Sequence, residues 1–211
     1  MQKVEIPFAK RIFDIVMSFL LIILFLPFIA VVLLLMGLEF LFISESRGSI
    51  FYSEIRISAG KPFRIYKFRI FKDKVLNNIL EKEGFVHTKK LERDKNNLIY
   101  TGRLLKQIYM DELPQLFNVL KGDMSLVGPR PTNIANAQQL YEEGCYSKFL
   151  IKAGLMGTFQ LYKIRKGVYD QEATDIKYID FCQKSSGWKI ILYDLKIIFL
   201  TIWTVLRAEG I

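Results

Sequence analysis

From Ile15 to Leu38 the chain carries no charged residue, and Ser18 is the only clearly polar one. Such a stretch cannot face water along its length, so it belongs in a bilayer. As a straight helix it would be about 36 Å long against a hydrocarbon core of about 30 Å, enough to cross. Pro27 stands mid-segment, where it removes a backbone hydrogen bond and clashes with the preceding turn, so a kink is expected there. Lys3, Lys10 and Arg11 precede the segment, and Arg56, Lys61, Arg64, Lys67, Arg69, Lys72 and Lys74 follow it. With both flanks basic, the positive-inside tendency favours a helix bent at Pro27 with both ends on the cytoplasmic side over one that spans. A cleaved signal peptide fits poorly, because the apolar run is too long and no small-residue cleavage site follows it.

The remainder of the 211 residues reads as a basic cytoplasmic body, in keeping with a formal charge of +9. Cys145 and Cys182 form no metal-ligand spacing and read as free buried thiols. His87 is the only histidine, so Ser-His-Asp or Cys-His catalysis would hang on one residue in a charged, loop-like region. No Gly-x-Gly-x-x-Gly, P-loop or internal repeat is present, so any nucleotide is held in another way. Ile50 to Ile57 and Phe63 to Phe71, joined by Ser58-Ala59-Gly60-Lys61-Pro62, read as a β-hairpin. On the second strand Lys67 and Arg69 fall on one face, suited to a diphosphate or to anionic headgroups. A solvated edge strand guarded by basic residues explains the pattern equally well.

The richest chemistry lies in Asp111-Glu112-Leu-Pro-Gln-Leu-Phe-Asn-Val-Leu-Lys-Gly122. Pro114 is tolerated in a first helical turn and Gly122 stops a helix, so a helix is expected over about 112–121 with Asp111 at or beside its N-cap. There the dipole and free N–H groups favour an ionised carboxylate and a neighbouring phosphate. Paired acids can also hold Mg²⁺ against a diphosphate, with Arg130 close downstream as a charge clamp. An ordinary acidic cap is the plain alternative. Arg103 and Lys106 lie three apart on the preceding helical pattern and share a face, toward phosphate or toward water.

The stretch from Phe71 to about Leu98 reads as a short helix and an exposed loop, and Asn133 to Leu150 and Gln171 to Phe181 as helices. Trp188 to Leu206 is too interrupted to span comfortably. It reads as an interfacial helix with Trp188 and Trp203 at headgroup depth, a buried core helix being the alternative. The expected fold is therefore mainly α with a small β-hairpin. A re-entrant membrane helix (1–45) would precede a cytoplasmic, membrane-associated catalytic body with amphipathic interfacial helices (46–211).

Several of these blocks together resemble the monotopic phosphoglycosyl transferases, bacterial sugar transferases that act on polyprenyl phosphate. Lys10-Arg11 with Phe13-Asp14, Pro27, the run Phe63 to Arg69, the long block Asp111 to Pro131, and Gly154-Leu155 with Gly157 and Gln160 carry the resemblance. It implies a polyprenyl-phosphate sugar-1-phosphate transferase at the cytoplasmic face of a bacterial inner membrane. Asp111 would be the nucleophile, Glu112 and Asp111 the Mg²⁺ ligands, and Lys67, Arg69, Arg103, Lys106 and Arg130 the phosphate-binding cations. The implied partners are a nucleoside diphosphate sugar, expected to be UDP-linked, polyprenyl phosphate and membrane lipids, without nucleic acid and with a homodimer left open. Ile70-Phe71, Tyr109 and Ser58 depart from the usual pattern, which bears on substrate identity more than on reaction type. A non-enzymatic basic membrane-surface protein, or a member that binds substrate without turnover, is the alternative; neither accounts for the retained acid pair.

Overall fold

A computed structural model describes residues 3–83, 91–92, 94–158 and 170–206, with side chains at 79–83 and 204–206 excepted. His87 and Gln160 lie outside the described residues. The chain is mainly helical. Helix α1 (Phe8–Phe42) contains the whole apolar run and passes through Pro27. A hairpin follows, β1 (Phe51–Ser58) and β2 (Lys61–Phe68), then α2 (Asp73–Glu83) and α3 (Tyr100–Gln107). After a 3₁₀ turn at Met110–Glu112 come α4 (Gln115–Lys121), β3 (Ser125–Val127), α5 (Ile134–Glu142), α6 (Ser147–Leu150), β4 (Gly154–Met156), α7 (Gln171–Lys184) and α8 (Gly187–Leu206). Among the described residues, α1 is the helix long and apolar enough to cross a membrane.

The hairpin turns where the sequence placed it. Ala59 and Gly60 both take positive φ, 48° and 70°, the paired left-handed residues that match strand twist in a two-residue loop. Ser58 is buried, donating its hydroxyl to the Asp123 carbonyl (2.6 Å) and accepting from the Ala153 N–H (3.0 Å).

Two compact units arise from the chain. The first comprises residues 1–22, 54–65 and 115–211. Its centre is the parallel pair β3–β4, with Ser125 opposite Gly154 and Val127 opposite Met156. Helices α4 and α8 pack on both strands, and α6 packs on α7. The first turns of α1 are tied in by buried charge: Lys10 Nζ lies 2.6 Å from Asp14 Oδ1 and 2.7 Å from Asp194 Oδ2. Ser125 Oγ donates to Asp14 (2.8 Å), and the Tyr178 hydroxyl donates to Asp194 (2.9 Å). Arg11 closes the C-terminus of α4 through the Val119 and Leu120 carbonyls. These bonds replace hydration lost when the charges are buried, the condition under which such groups are tolerated inside.

The second unit comprises residues 23–53 and 66–114. Val32 and Met36 of α1 pack with Phe68, Ile70, Phe71, Leu76, Leu98, Ile99 and Leu105 in one apolar core. Phe71 and Leu98 form an antiparallel bridge, so the charged 71–98 stretch, though it does contain the expected short helix, is anchored by buried residues at both ends. Gly102 lets α3 lie directly on the Ile70 backbone, where a Cβ would overlap it.

Candidate active site

Helix α3 delivers the acidic pair. Its C-terminus closes through the Ile108 and Tyr109 N–H groups on the Leu104 and Lys106 carbonyls. Tyr109 then reverses the chain at φ 56°, ψ 24°. That left-handed region costs an aromatic residue about 1–2 kcal/mol relative to an ordinary helical conformation. The reversal starts the 3₁₀ turn Met110–Glu112, closed by the Leu113 N–H on the Met110 carbonyl. Asp111 is thus not the N-cap of a helix beginning at Glu112, as the sequence suggested. The chain has already turned at Tyr109, and α4 begins only after Pro114. Gly122, at φ +89°, does end that helix.

The turn places the two acids in different surroundings. Asp111 is only 8% exposed, and burial, then the charge of Glu112, push its carboxyl up to about 6, against a smaller opposing pull from Lys67. Glu112 is half-buried and its Oε1 meets Lys67 Nζ of β2 at 2.8 Å. One carboxylate is therefore poorly solvated, while its neighbour is compensated by a cation. Raised carboxyls beside a charge partner are characteristic of reactive sites. Among the described residues no group of three or more His, Cys, Asp or Glu is arranged to hold a metal. The adjacent pair fits the sparser donor set of Mg²⁺, which commonly takes one or two carboxylates and completes its shell with substrate phosphates and water.

The other anticipated cations go separate ways. Arg69 lies just past the end of β2 and turns inward, 1% exposed. Its guanidinium donates to the Ser46, Ser49 and Phe71 carbonyls, pairs with Asp73 at 3.3 Å and lies over the Phe40 ring. The Arg69 N–H still bonds the Ile50 carbonyl, so pairing runs past Phe68, and its guanidinium holds backbone together and presents no fork to a phosphate. Lys106 is paired with Glu92 at 2.7 Å, and Arg103 lies over the Tyr100 ring while donating to the Lys95 carbonyl. Arg130 is half-buried in the first unit, on the segment after β3. Trp188 and Trp203 are exposed on α8 together with Leu192, Leu195, Phe199 and Ile202, while Ile190, Ile191, Asp194, Ile197 and Ile198 are buried. Cys145 and Cys182 are free; Cys182 is buried, which pushes its thiol up to about 12, whereas Cys145 is half-exposed rather than buried as anticipated.

Sequence reading passed over Glu39, Glu92 and the Lys10–Asp14 pair as paired groups. Lys10 and Asp14 stand at i, i+4, a spacing that signals an ion pair. Glu39 breaks an otherwise apolar helix end, which is signal enough to ask for its partner. Glu92 had none, since its partner is fourteen positions away in a charged stretch.

The family model described as "Bacterial sugar transferase" matches residues 6–208. The chain is 35% identical to a Bacillus subtilis (strain 168) protein named "Uncharacterized sugar transferase EpsL", over 96% of this chain and 89% of that protein. It is 33% identical to a Klebsiella pneumoniae protein named "UDP-glucose:undecaprenyl-phosphate glucose-1-phosphate transferase", over 92% of this chain and 39% of that protein. With a Salmonella typhimurium (strain LT2) protein named "Undecaprenyl-phosphate galactose phosphotransferase" the identity is 32%, over 96% of this chain and 41% of the other. The chain thus spans most of the first relative and about two-fifths of the other two.

Proposed function

The chain belongs to the bacterial sugar transferase family, and on that premise we propose that it moves a sugar 1-phosphate from a nucleoside diphosphate sugar to polyprenyl phosphate at the cytoplasmic face of a bacterial inner membrane. The observation that carries the reading is the Asp111–Glu112 turn: a buried, reluctantly ionised carboxylate beside one held by Lys67. With its carboxyl near 6, Asp111 is about ten-to-one ionised at pH 7 yet poorly solvated, the condition of an activated oxygen nucleophile.

In the first step an Asp111 carboxylate oxygen attacks the β-phosphorus of the nucleotide sugar. The bond from that phosphorus to the bridging oxygen breaks, and nucleoside monophosphate leaves with the electron pair. The sugar phosphate stays on Asp111 as an acyl phosphate. In the second step a phosphate oxygen of the lipid attacks the same phosphorus, forming polyprenyl diphosphosugar and returning the carboxylate. Asp111 and Glu112 would hold Mg²⁺, which when bound offsets the negative charge of the diphosphate. Lys67, Lys106, Arg103 and Arg130 are the proposed phosphate-placing cations; Arg69 is withdrawn from that set. The name of the Klebsiella relative supports UDP as the nucleotide, and it and the Salmonella relative's name differ over the sugar.

Residues 1–45 are the proposed membrane-inserted part. The start of α1 is bonded to α8 and β3 through Lys10 and Asp14, and its last turns are bonded to α3. Basic residues on both flanks of the apolar run, with Pro27 inside it, support a helix that enters and leaves the bilayer on one face. Purified protein incubated with UDP-sugars and undecaprenyl phosphate should release UMP and form a lipid diphosphosugar. Absence of release with every UDP-sugar offered would overturn the reading.

A further inference from the structure

Glu39 is a buried acid in the last turns of the apolar helix, and two of its three partner residues lie about sixty positions away. Its Oε1 accepts from the Ser46 hydroxyl (2.6 Å) and the Tyr100 N–H (2.7 Å), and its Oε2 from the Thr101 N–H (2.8 Å) and hydroxyl (2.6 Å). Two of these donors are the first N–H groups of α3, whose N-cap residue Ile99 supplies no side-chain acceptor. The membrane helix therefore provides the missing cap, and its negative charge sits at the positive end of the α3 dipole.

The same turn of α1 marks where apolar surface gives out. Leu38, Leu41 and Phe42 flank Glu39 and are exposed, Phe42 at 83%, and the polar turn Ser44–Ser46 follows directly. Outward on α3, Tyr100 and Leu104 form an exposed i, i+4 pair. Glu39 thus pins the start of α3 at the turn of α1 where exposed apolar residues give way to the polar turn Ser44–Ser46, the headgroup level for a helix inserted as proposed above. Helix α3 is only eight residues, about 12 Å, and runs straight into Tyr109 and the Asp111 turn.

We infer that Glu39 is a positioning residue for the lipid half of the reaction: by capping α3 from the membrane helix it sets the height at which Asp111 meets a phosphate carried by a polyprenyl chain. The inference rests on the two-step reading given above. A soluble nucleotide sugar can follow a small change in height, whereas a lipid-borne phosphate is confined to the headgroup plane, so the two halves should respond unequally when the cap is disturbed.

The test uses full-length protein in nanodiscs of phosphatidylethanolamine and phosphatidylglycerol, comparing wild type with Glu39→Gln. Gln puts an N–H₂ where an acceptor is needed and removes the charge. With the UDP-hexose that supports turnover and no lipid acceptor, the rate of the UMP burst should stay within about threefold of wild type. Transfer of the phosphosugar from protein to added undecaprenyl phosphate should slow by about tenfold or more, with a raised KM for the lipid and an unchanged KM for the nucleotide sugar. Equal slowing of both halves, or slowing of neither, would overturn the assignment. If Glu39→Gln does not accumulate folded protein, Ser46→Ala keeps the charge and three of the four bonds and should show the same imbalance at smaller size. A wild-type protein that turns over without any burst would sink the two-step reading, and this inference with it, which a failure confined to the variants would not do.

Discussion

At Asp111 the proposed nucleophilic role and stability pull against each other. Its carboxyl, ordinarily near 3.8, is raised to about 6, so the folded chain holds a proton there that the unfolded chain has released. Between those values stability falls as pH rises, and above about 6 the full cost of keeping the charge buried is present, about 3 kcal/mol at most. Asp111→Asn removes that charge. It should abolish UMP release, because an amide cannot form the acyl phosphate, and yet raise the melting temperature at pH 7.5, with the gain shrinking toward pH 4. A melting temperature lowered at pH 7.5 would contradict this account of the site. The wild-type burst rate should in turn fall on the acid side with a midpoint near 6. Arg69 and Lys67 offer the opposite pair. Arg69→Lys cannot reproduce a fork that reaches three carbonyls, and leaving buried acceptors unmet should cost about 3 kcal/mol, read as a lower melting temperature. Lys67→Ala, at a half-exposed ion pair, should change the melting temperature little and lower turnover strongly.

Elements whose signals are local were legible in the chain. The apolar helix, a hairpin turn within 58–62, which the structure tightens to Ala59-Gly60, and the stop at Gly122 follow from hydropathy and from the conformations glycine permits. The parallel pair β3–β4 did not announce itself, since three-residue strands are too short for alternation to show and their partners lie nearly thirty positions apart. For the same reason the acid pair was recognised by its residues while the turn beneath it was not: Tyr109 in the left-handed region is a choice that no propensity would make. Spacing along one strand puts Arg69 with Lys67 but does not reveal the Ser46, Ser49 and Phe71 carbonyls that hold its guanidinium inside. The β3–β4 contact also carries its own prediction. A Cβ at Gly154 would overlap the Gly128 backbone, so Gly154→Ala should cost about 2 kcal/mol or more and lower the melting temperature, with no flexible side chain able to move aside. For α1, cysteines replacing Lys3 and Lys61 should both stay unlabelled when a membrane-impermeant maleimide is added outside intact cells. Labelling at position 3 alone would mean that the helix spans.

The whole molecule joins a long apolar helix, a basic body and one paired-acid turn, and the feature that would set the proposed enzyme apart from any binding protein is an intermediate. If Asp111 carries the phosphosugar, the kinetics must be ping-pong, because monophosphate leaves before the lipid takes part. Protein given UDP-sugar without lipid should then release UMP in a burst of at most about one equivalent per site, a limit set by the single carboxylate that can be loaded. Mass spectrometry of the quenched protein should find a phosphosugar on the peptide containing Asp111. That adduct should be absent in Asp111→Asn and disappear when undecaprenyl phosphate is added. A membrane-surface protein that merely gathers nucleotide and lipid through its charge would give neither burst nor adduct. An enzyme acting by direct displacement would turn over with both substrates, show ternary-complex kinetics and never load the protein, and that result would overturn the role of Asp111 while leaving the transfer itself standing.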